Sequence, residues 1–369
     1  MESNRLRVGI VGGGFITQVM HLPSLVGLAD RFEIVGLADP SRSVREELAM
    51  RYRIETTSAG HEELLEDTRP DALIVLSPGA THAEVIMTAL ETGVHVFTEK
   101  PLCLVAEDAW EITRASERTG RLVQVGYMKR YDPAYEQMLR TLAERRSGNV
   151  RLIDCVTYDP GLERFFAPAG TAHSDDISAP FKARAHEQRS DQARRAVGAS
   201  SPEEIDVYVQ IICDGLVHDV NVLGGVLSTL GEPQPQVIDT AWWAEGRGMQ
   251  TTLELSDGAR CTLSFLQLDG LQDFREELRV HFDDAVHVLR FPAPYLRNCP
   301  TVYECTSERN GRSHTDRWQS WTESFVAELT HFHDCVRLGH TCRTPPQQAA
   351  CDLELLEQIF KARAASSEP

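Results

Sequence analysis

The chain has 369 residues, 42% of them apolar and 25% charged, and a formal charge of −18, a size that exceeds one ordinary core and suits two domains. So acidic a chain argues against non-specific nucleic-acid binding, which relies on clustered Lys and Arg, and leaves a neutral or cationic substrate mildly favoured over an anionic one. The longest apolar runs are strand-sized, short of the roughly 18 residues a membrane-spanning helix needs, so no membrane role is expected.

No basic and apolar leader precedes the first strand, so the default expectation is a cytoplasmic protein. The nine cysteines are scattered, with no C-x-x-C pair. Reduced, mostly buried thiols are therefore expected, with neither a disulfide framework nor a metal site.

Arg7–Val11 reads as a continuous apolar strand that meets Gly12-Gly13-Gly14-Phe15-Ile16-Thr17 ahead of a helical pattern over Gln18–Leu28. Strand, glycine turn and helix in that order give the turn a mechanism. Gly12 permits the bend, and Gly14, with Phe15 and Ile16 after it, lets backbone N–H groups approach a pyrophosphate at the helix N-terminus. Thr17 stands where Gly or Ala is usual, which should loosen the approach of helix to strand.

The second strand, Glu33–Ala38, ends at Asp39-Pro40, where a dinucleotide fold places the carboxylate that takes the ribose hydroxyls. A carboxylate there repels a 2′-phosphate, so NAD is preferred. Arg42 close behind would suit NADP, which stays as the alternative, and the bland reading of Asp39-Pro40-Ser41 is a turn and a helix N-cap.

Helices over Val44–Arg53 and His61–Glu66, a strand Ala72–Leu76, Ser77-Pro78-Gly79, a helix Thr81–Thr92, a strand Val94–Thr98, a helix Ala106–Arg118 and a strand Leu122–Gly126 follow. This alternation indicates an α/β doubly wound parallel sheet. Ser77, Pro78 and His82 lie at a strand's carboxyl end and can line the cofactor, with a surface histidine as the plain alternative for His82. Glu99 and Lys100 end the Val94–Thr98 strand in the same sense, so Lys100 is a candidate for chemistry.

These segments resemble the Gfo/Idh/MocA family of oxidoreductases. The matching pieces are VGIVGGGFI with His21 after it, LADP, LIVLSPGATH, GVHVFTEKPL and QVGYMKRYDPAY, over residues 6 to 135, resuming at CDGLVHDVNVL from Cys213. The resemblance implies an N-terminal NAD(P)-binding Rossmann domain, taken as residues 1–126. It also implies a C-terminal α/β domain with a large, mostly antiparallel open sheet, taken as 127–369, and homodimers or homotetramers packed through that sheet. It further implies that Glu99-Lys100-Pro101 contains a cis proline and aims Lys100 at substrate and nicotinamide.

Beyond Asp132-Pro133 a helix should run to about Glu144, and Asn149–Thr157 reads as a strand. Residues 159–206 form an insertion rich in Ala, Ser, Pro and charge. A structureless loop of that length is improbable, so a short helix is expected around Phe181–Arg195, in a lid, a subunit-crossing arm or a surface insertion. From Ile205 the pattern is helical, and Asp214 and His218, four residues apart, share one helix face. Asp219 points away from that face and reads as structural. Val237–Trp243, Thr251–Leu255, Arg260–Leu266, Glu277–Phe282, Ala285–Leu289 and Thr301–Cys305 are strand candidates, and Ser320–Leu338 and Gln347–Arg363 are helices.

Hydride transfer to or from a carbinol carbon needs a proton donor or acceptor within reach of its oxygen. The resemblance assigns His218 as principal acid/base, Lys100 as polarising donor and relay, and Asp214 as the orienting and substrate-binding carboxylate. The leading expectation is an NAD(P)-dependent dehydrogenase or ketoreductase acting on a sugar, nucleotide-sugar, amino-sugar or cyclitol. The alternative is a redox-neutral epimerase or lyase that retains its cofactor and uses transient oxidation, and a third is a non-catalytic dinucleotide sensor.

Overall fold

The apolar runs at the front of the chain have the unbroken hydrophobicity of strands covered on both faces, and they form a parallel sheet. Its strands are β1 (Leu6–Val11), β2 (Phe32–Ala38), β3 (Thr57–Ser58), β4 (Ala72–Val75), β5 (His95–Glu99) and β6 (Val123–Gly126). They lie in the order β3-β2-β1-β4-β5-β6, all neighbours parallel. The sheet order therefore reverses between β1 and β4, which puts a switch point at their carboxyl ends.

The computed structural model describes residues 5–145, 148–161 and 169–363. By packing they fall into two units: the described residues of Met1–Tyr127, Glu163–Gly198 and Phe325–Leu353, and those of Met128–Leu162, Ala199–Ser324 and Glu354–Pro369. The first unit's core joins Leu6, Val8 and Ile10 of β1 and Phe97 of β5 to Leu329 and Phe332, from a helix more than two hundred positions further on. Helices Arg42–Tyr52, His61–Thr68, Gly79–Glu91 and Ala106–Thr119 connect the strands.

The helix expected over Gln18–Leu28 forms as a π-helical stretch Thr17–His21 followed by an α-helical one, Leu22–Gly27. Pro23 accounts for the change of winding. It has no N–H to donate, its ring would strike the carbonyl four residues back, and a widened turn accommodates both.

The second unit holds β7 (Val150–Asp159), β8 (Gln236–Trp243), β9 (Gly248–Glu254), β10 (Arg260–Gln267), β11 (Arg275–Phe282), β12 (Ala285–Phe291), β13 (Val302–Arg309) and β14 (Arg312–Gln319). They lie in the order β14-β13-β12-β11-β7-β10-β9-β8, antiparallel except for β7 beside β10. Helices Pro133–Ala143 and Val217–Leu230 supply apolar partners for its inward face, and they touch where Tyr135 donates to the Val222 carbonyl at 2.8 Å.

The strand β14, which was not expected, ends at Gln319, and the helix expected from Ser320 begins at Ser324. Apart from half-buried Trp318 the strand's residues are exposed and polar, so they carry no apolar alternation. The signal that finds it is Asn310-Gly311, both at positive φ, the preferred pair for a tight hairpin turn.

In the insertion, the helix expected around Phe181–Arg195 spans Ala179–Val197; residues 162–168 lie outside the described part. A correction concerns length and apolarity. The helical run Pro202–Leu230 has 29 residues and a mean hydropathy of 1.3 over its most apolar window, enough by length and composition to cross a membrane. It combines an α turn, a π stretch Val207–Leu216 and the α-helix Val217–Leu230, and 67% of that window is buried in the fold.

Candidate functional site

In the first unit, the expected cofactor-binding residues gather at the carboxyl ends of β1, β2, β4 and β5. Gly12 has φ +100°, and a Cβ on it would stand 2.7 Å from the backbone of Leu76 and Ser77, so only glycine fits. Gly14 is exposed and nothing lies within 4 Å of where its Cβ would be, which leaves room above the turn for a phosphate group. Phe15 and Ile16 are half-buried at the start of the helix, Ile16 packed on the core. Thr17 is fully buried, and its hydroxyl donates to the Gly12 carbonyl at 2.7 Å, tying turn to helix where loosening was expected.

Asp39 accepts the Gly13 N–H at 2.7 Å and the Ser41 N–H at 2.8 Å. Burial raises its pKa, and those two donors and Arg45 pull it back. Ser41 also caps the Arg42–Tyr52 helix, as the turn-and-cap reading expects, while Asp39 stands just beyond the carboxyl end of β2.

Ser77 is half-buried with its hydroxyl 2.7 Å from that of Thr81, and Pro78 is exposed. His82 is buried, not on the surface. Its Nε2 faces the Ser77 carbonyl at 2.6 Å and its Nδ1 the Pro101 carbonyl at 2.8 Å, and burial lowers its pKa. As a neutral ring with one N–H, His82 donates to one of these two carbonyls, and it is wedged between the loop after β4 and the turn after β5. That turn contains a cis Lys100–Pro101 bond, and Lys100 is half-buried at its head.

Glu99 does not stand alone, and sequence reading did not find its partners. His21 Nε2 lies 2.7 Å from Glu99 Oε1, while Glu99 Oε2 accepts the Lys100 N–H at 3.0 Å. Glu328, from the helix Ser324–Leu338, completes a buried group whose ligand-type atoms lie within 4.8 Å of one another. A cation held by all three would use such atoms, but 2.7 Å is a hydrogen-bond length, short for two ligands on one ion. Neither Glu328 oxygen has a hydrogen-bond partner among the described residues; burial first, then the Glu99 charge, pushes its pKa well up, so it sits as a neutral acid. The only sequence signal was His21 in the turn motif.

In the second unit, Asp214 and His218 do share a stretch of helix, though not a regular one. Asp214 is exposed within the π stretch, and His218 is half-buried as the second residue of Val217–Leu230. Asp219 turns into the core, where Thr157 Oγ1 stands 3.1 Å from each of its oxygens. Nearby, Lys129 forms a buried bidentate ion pair with Glu276. Burial, then the Glu276 charge, pushes the Asp219 pKa up to about 8.

Comparison with known proteins finds a likeness over the first third of the chain. Residues 6–127 match the family model described as the GFO_IDH_MocA oxidoreductase family, NAD-binding Rossmann fold. The chain is 32% identical over 158 residues to a scyllo-inositol 2-dehydrogenase (NAD(+)) of Bacillus subtilis, covering 43% of this chain and 46% of that protein. It is 34% identical over 173 residues to inositol 2-dehydrogenase 3 of Saccharopolyspora erythraea, covering 47% and 51%. The chain thus spans about half the length of these curated relatives.

Among solved structures, a 3-ketoreductase from Actinomadura kijaniata in complex with NADP and TDP-benzene superposes with a TM-score of 0.73 at 18% identity, covering 97% of this chain and 98% of that one. A UDP-N-acetylglucosamine 3-dehydrogenase from Acidithiobacillus ferrooxidans gives 0.70 at 16%, covering 97% and 98%; both likenesses are of fold. Residues 6–127 are thus similar to the NAD-binding Rossmann domain of the Gfo/Idh/MocA oxidoreductases.

Proposed function

We propose that the protein is an NAD-dependent oxidoreductase that moves a hydride between nicotinamide and a secondary hydroxyl or ketone of a sugar or cyclitol. The observation that carries this reading is Lys100, an amine at the carboxyl end of β5 beside the switch point of a sheet whose glycine turn and Asp39 fit a dinucleotide. The nicotinamide ring supplies the hydride chemistry when bound. The chain's own residues hold the dinucleotide and handle the proton. Gly12 and Gly14 shape the phosphate turn, Asp39 takes ribose hydroxyls, and Lys100 polarises the reacting oxygen.

His218 is the assigned acid/base and Asp214 its orienting carboxylate. Their neighbouring positions on one helix, with Asp214 exposed and His218 half-buried, support the pairing. The inositol dehydrogenases among the relatives favour a cyclitol or sugar as substrate. For assembly, we take the outer face of the eight-stranded sheet as the surface for a second copy. Half-buried Leu152, Val156, Tyr158, Val286 and Val288 lie there among the ion pairs of Glu277 with Arg275, Arg279 and Arg290. Sedimentation of a monomer at micromolar concentration would remove that part.

The decisive experiment is a panel of inositols, aldoses and nucleotide sugars, with their keto forms, against both dinucleotides, following absorbance of the reduced nicotinamide. Sustained accumulation of free reduced cofactor with at least one polyol is the expected result. Absence of turnover across the panel, with dinucleotide bound, would overturn it.

A further inference from the structure

The segment entering the Ala179–Val197 helix lies against the nucleotide end of the first unit. Ala172 is held at both ends by Gln18, its N–H donating to Gln18 Oε1 at 2.7 Å and its carbonyl accepting from Gln18 Nε2 at 3.2 Å. Gln18 Nε2 also stands 2.8 Å from the Gly13 carbonyl, so this segment runs beside the glycine turn. Four residues on, Asp176 reaches the start of the helix that follows β2. Its Oδ1 accepts from Ser41 Oγ at 2.5 Å and stands 3.1 Å from Ser43 Oγ, and its Oδ2 accepts the Ser43 N–H at 3.0 Å.

We propose that Asp176 sets dinucleotide selectivity: its carboxylate takes the Ser41 and Ser43 donors that a ribose 2′-phosphate would use, so the chain takes NAD and refuses NADP. This rests on the dinucleotide reading above. Three further observations support it. Asp39 and Asp176 place two carboxylates on either side of Ser41, and each meets a 2′-phosphate with like charge. Arg42, the residue suited to rescuing NADP, is turned to Glu46 at 2.6 Å. Arg45 is committed to the Asp39 carbonyl.

The docked carboxylate also fits its donors. Hydroxyl and N–H groups favour the charged form and hold the Asp176 pKa down at about 2, so the negative charge persists at any working pH. A 2′-phosphate would have to displace a fixed anion and then sit beside a second one.

The test uses the full chain and reads the ratio of NADP to NAD dissociation constants by calorimetry, with adenosine 2′,5′-bisphosphate against 5′-AMP as a probe of that end alone. The wild type should prefer NAD at least about tenfold, and Asp176→Ala should cut that preference about tenfold, the scale of removing one like charge a few ångströms from a phosphate. Asp176→Asn, which keeps an acceptor but loses the charge, should give most of the same shift. A ratio moves only if the two ligands are affected differently, so loss of fold does not imitate the result. Equal affinity of the wild type for both dinucleotides, or a ratio unchanged by either substitution, overturns the proposal and leaves the enzyme reading standing. Binding of neither dinucleotide overturns both.

Discussion

A lysine and an aspartate test the two units residue by residue. Lys100→Met keeps the aliphatic stem and removes the donor, so turnover should fall by at least about a hundredfold, the usual weight of a positioned proton-handling group. Dinucleotide affinity should stay within about tenfold, since Gly12, Gly14 and Asp39 do not depend on the amine. Wild-type kcat in this variant would remove Lys100 from the chemistry.

Asp219 makes a prediction about pH. Its folded pKa, raised to about 8, lies above its unfolded value of roughly 4, so between those limits the folded state holds a proton that the unfolded state has released. Stability from this group is full below the lower limit and drains away as pH rises to the upper one. Asp219→Asn should therefore flatten the fall in Tm between about pH 5 and 8 and be the more stable protein at pH 8. A parallel pair of Tm profiles would show that Asp219 is ionised in the fold. At this scale the places of Gly12, Asp39 and Lys100 at the ends of strands were legible because short-range rules fix them. The His21–Glu99–Glu328 group was not, because Glu328 arrives from a helix that no local pattern links to β5.

At the level of elements, the π stretch Val207–Leu216 decides how Asp214 is presented, and the sequence carries no mark of it. Four-residue spacing announces a shared face on any helix, but the winding depends on what the helix packs against. Gly215 lies in that stretch, and a Cβ on it would come within 2.7 Å of the buried Phe265 ring on β10. Gly215→Ala should push the stretch off the sheet and misplace both Asp214 and His218. We expect kcat/KM to drop about tenfold to a hundredfold, with dinucleotide binding little changed. Unaltered kinetics in a folded variant would dissociate this stretch from the proposed active groups. The parallel strands and their helices were readable from alternation alone, whereas β14 was missed because it buries almost nothing and only its turn residues identify it.

For the whole molecule, chain order and packing order differ. The nucleotide sheet rests on residues 325–353, where Phe332 meets Phe97 edge-on at 5.7 Å, Phe325 meets His21 at 5.4 Å and Asp334 accepts from Arg31 at 2.7 Å. A chain ended after residue 127 would lose the burial of Leu329 and Phe332, worth about 3 to 6 kcal/mol together, against a total domain stability of only about 5 to 15 kcal/mol. Such a fragment should show no cooperative heat transition by near-ultraviolet circular dichroism, and fusing residues 325–353 to it through a flexible linker should restore one. A sharp transition in the short fragment would show that the parallel sheet is self-sufficient.

This division also bears on synthesis. About 200 residues separate Tyr127 from the helix that closes the sheet, which at roughly 5 to 20 residues per second leaves the nascent chain with an open aromatic face for on the order of ten to forty seconds on the ribosome. Chaperone supply during translation should therefore govern the yield of this protein more than the stability of the finished fold does.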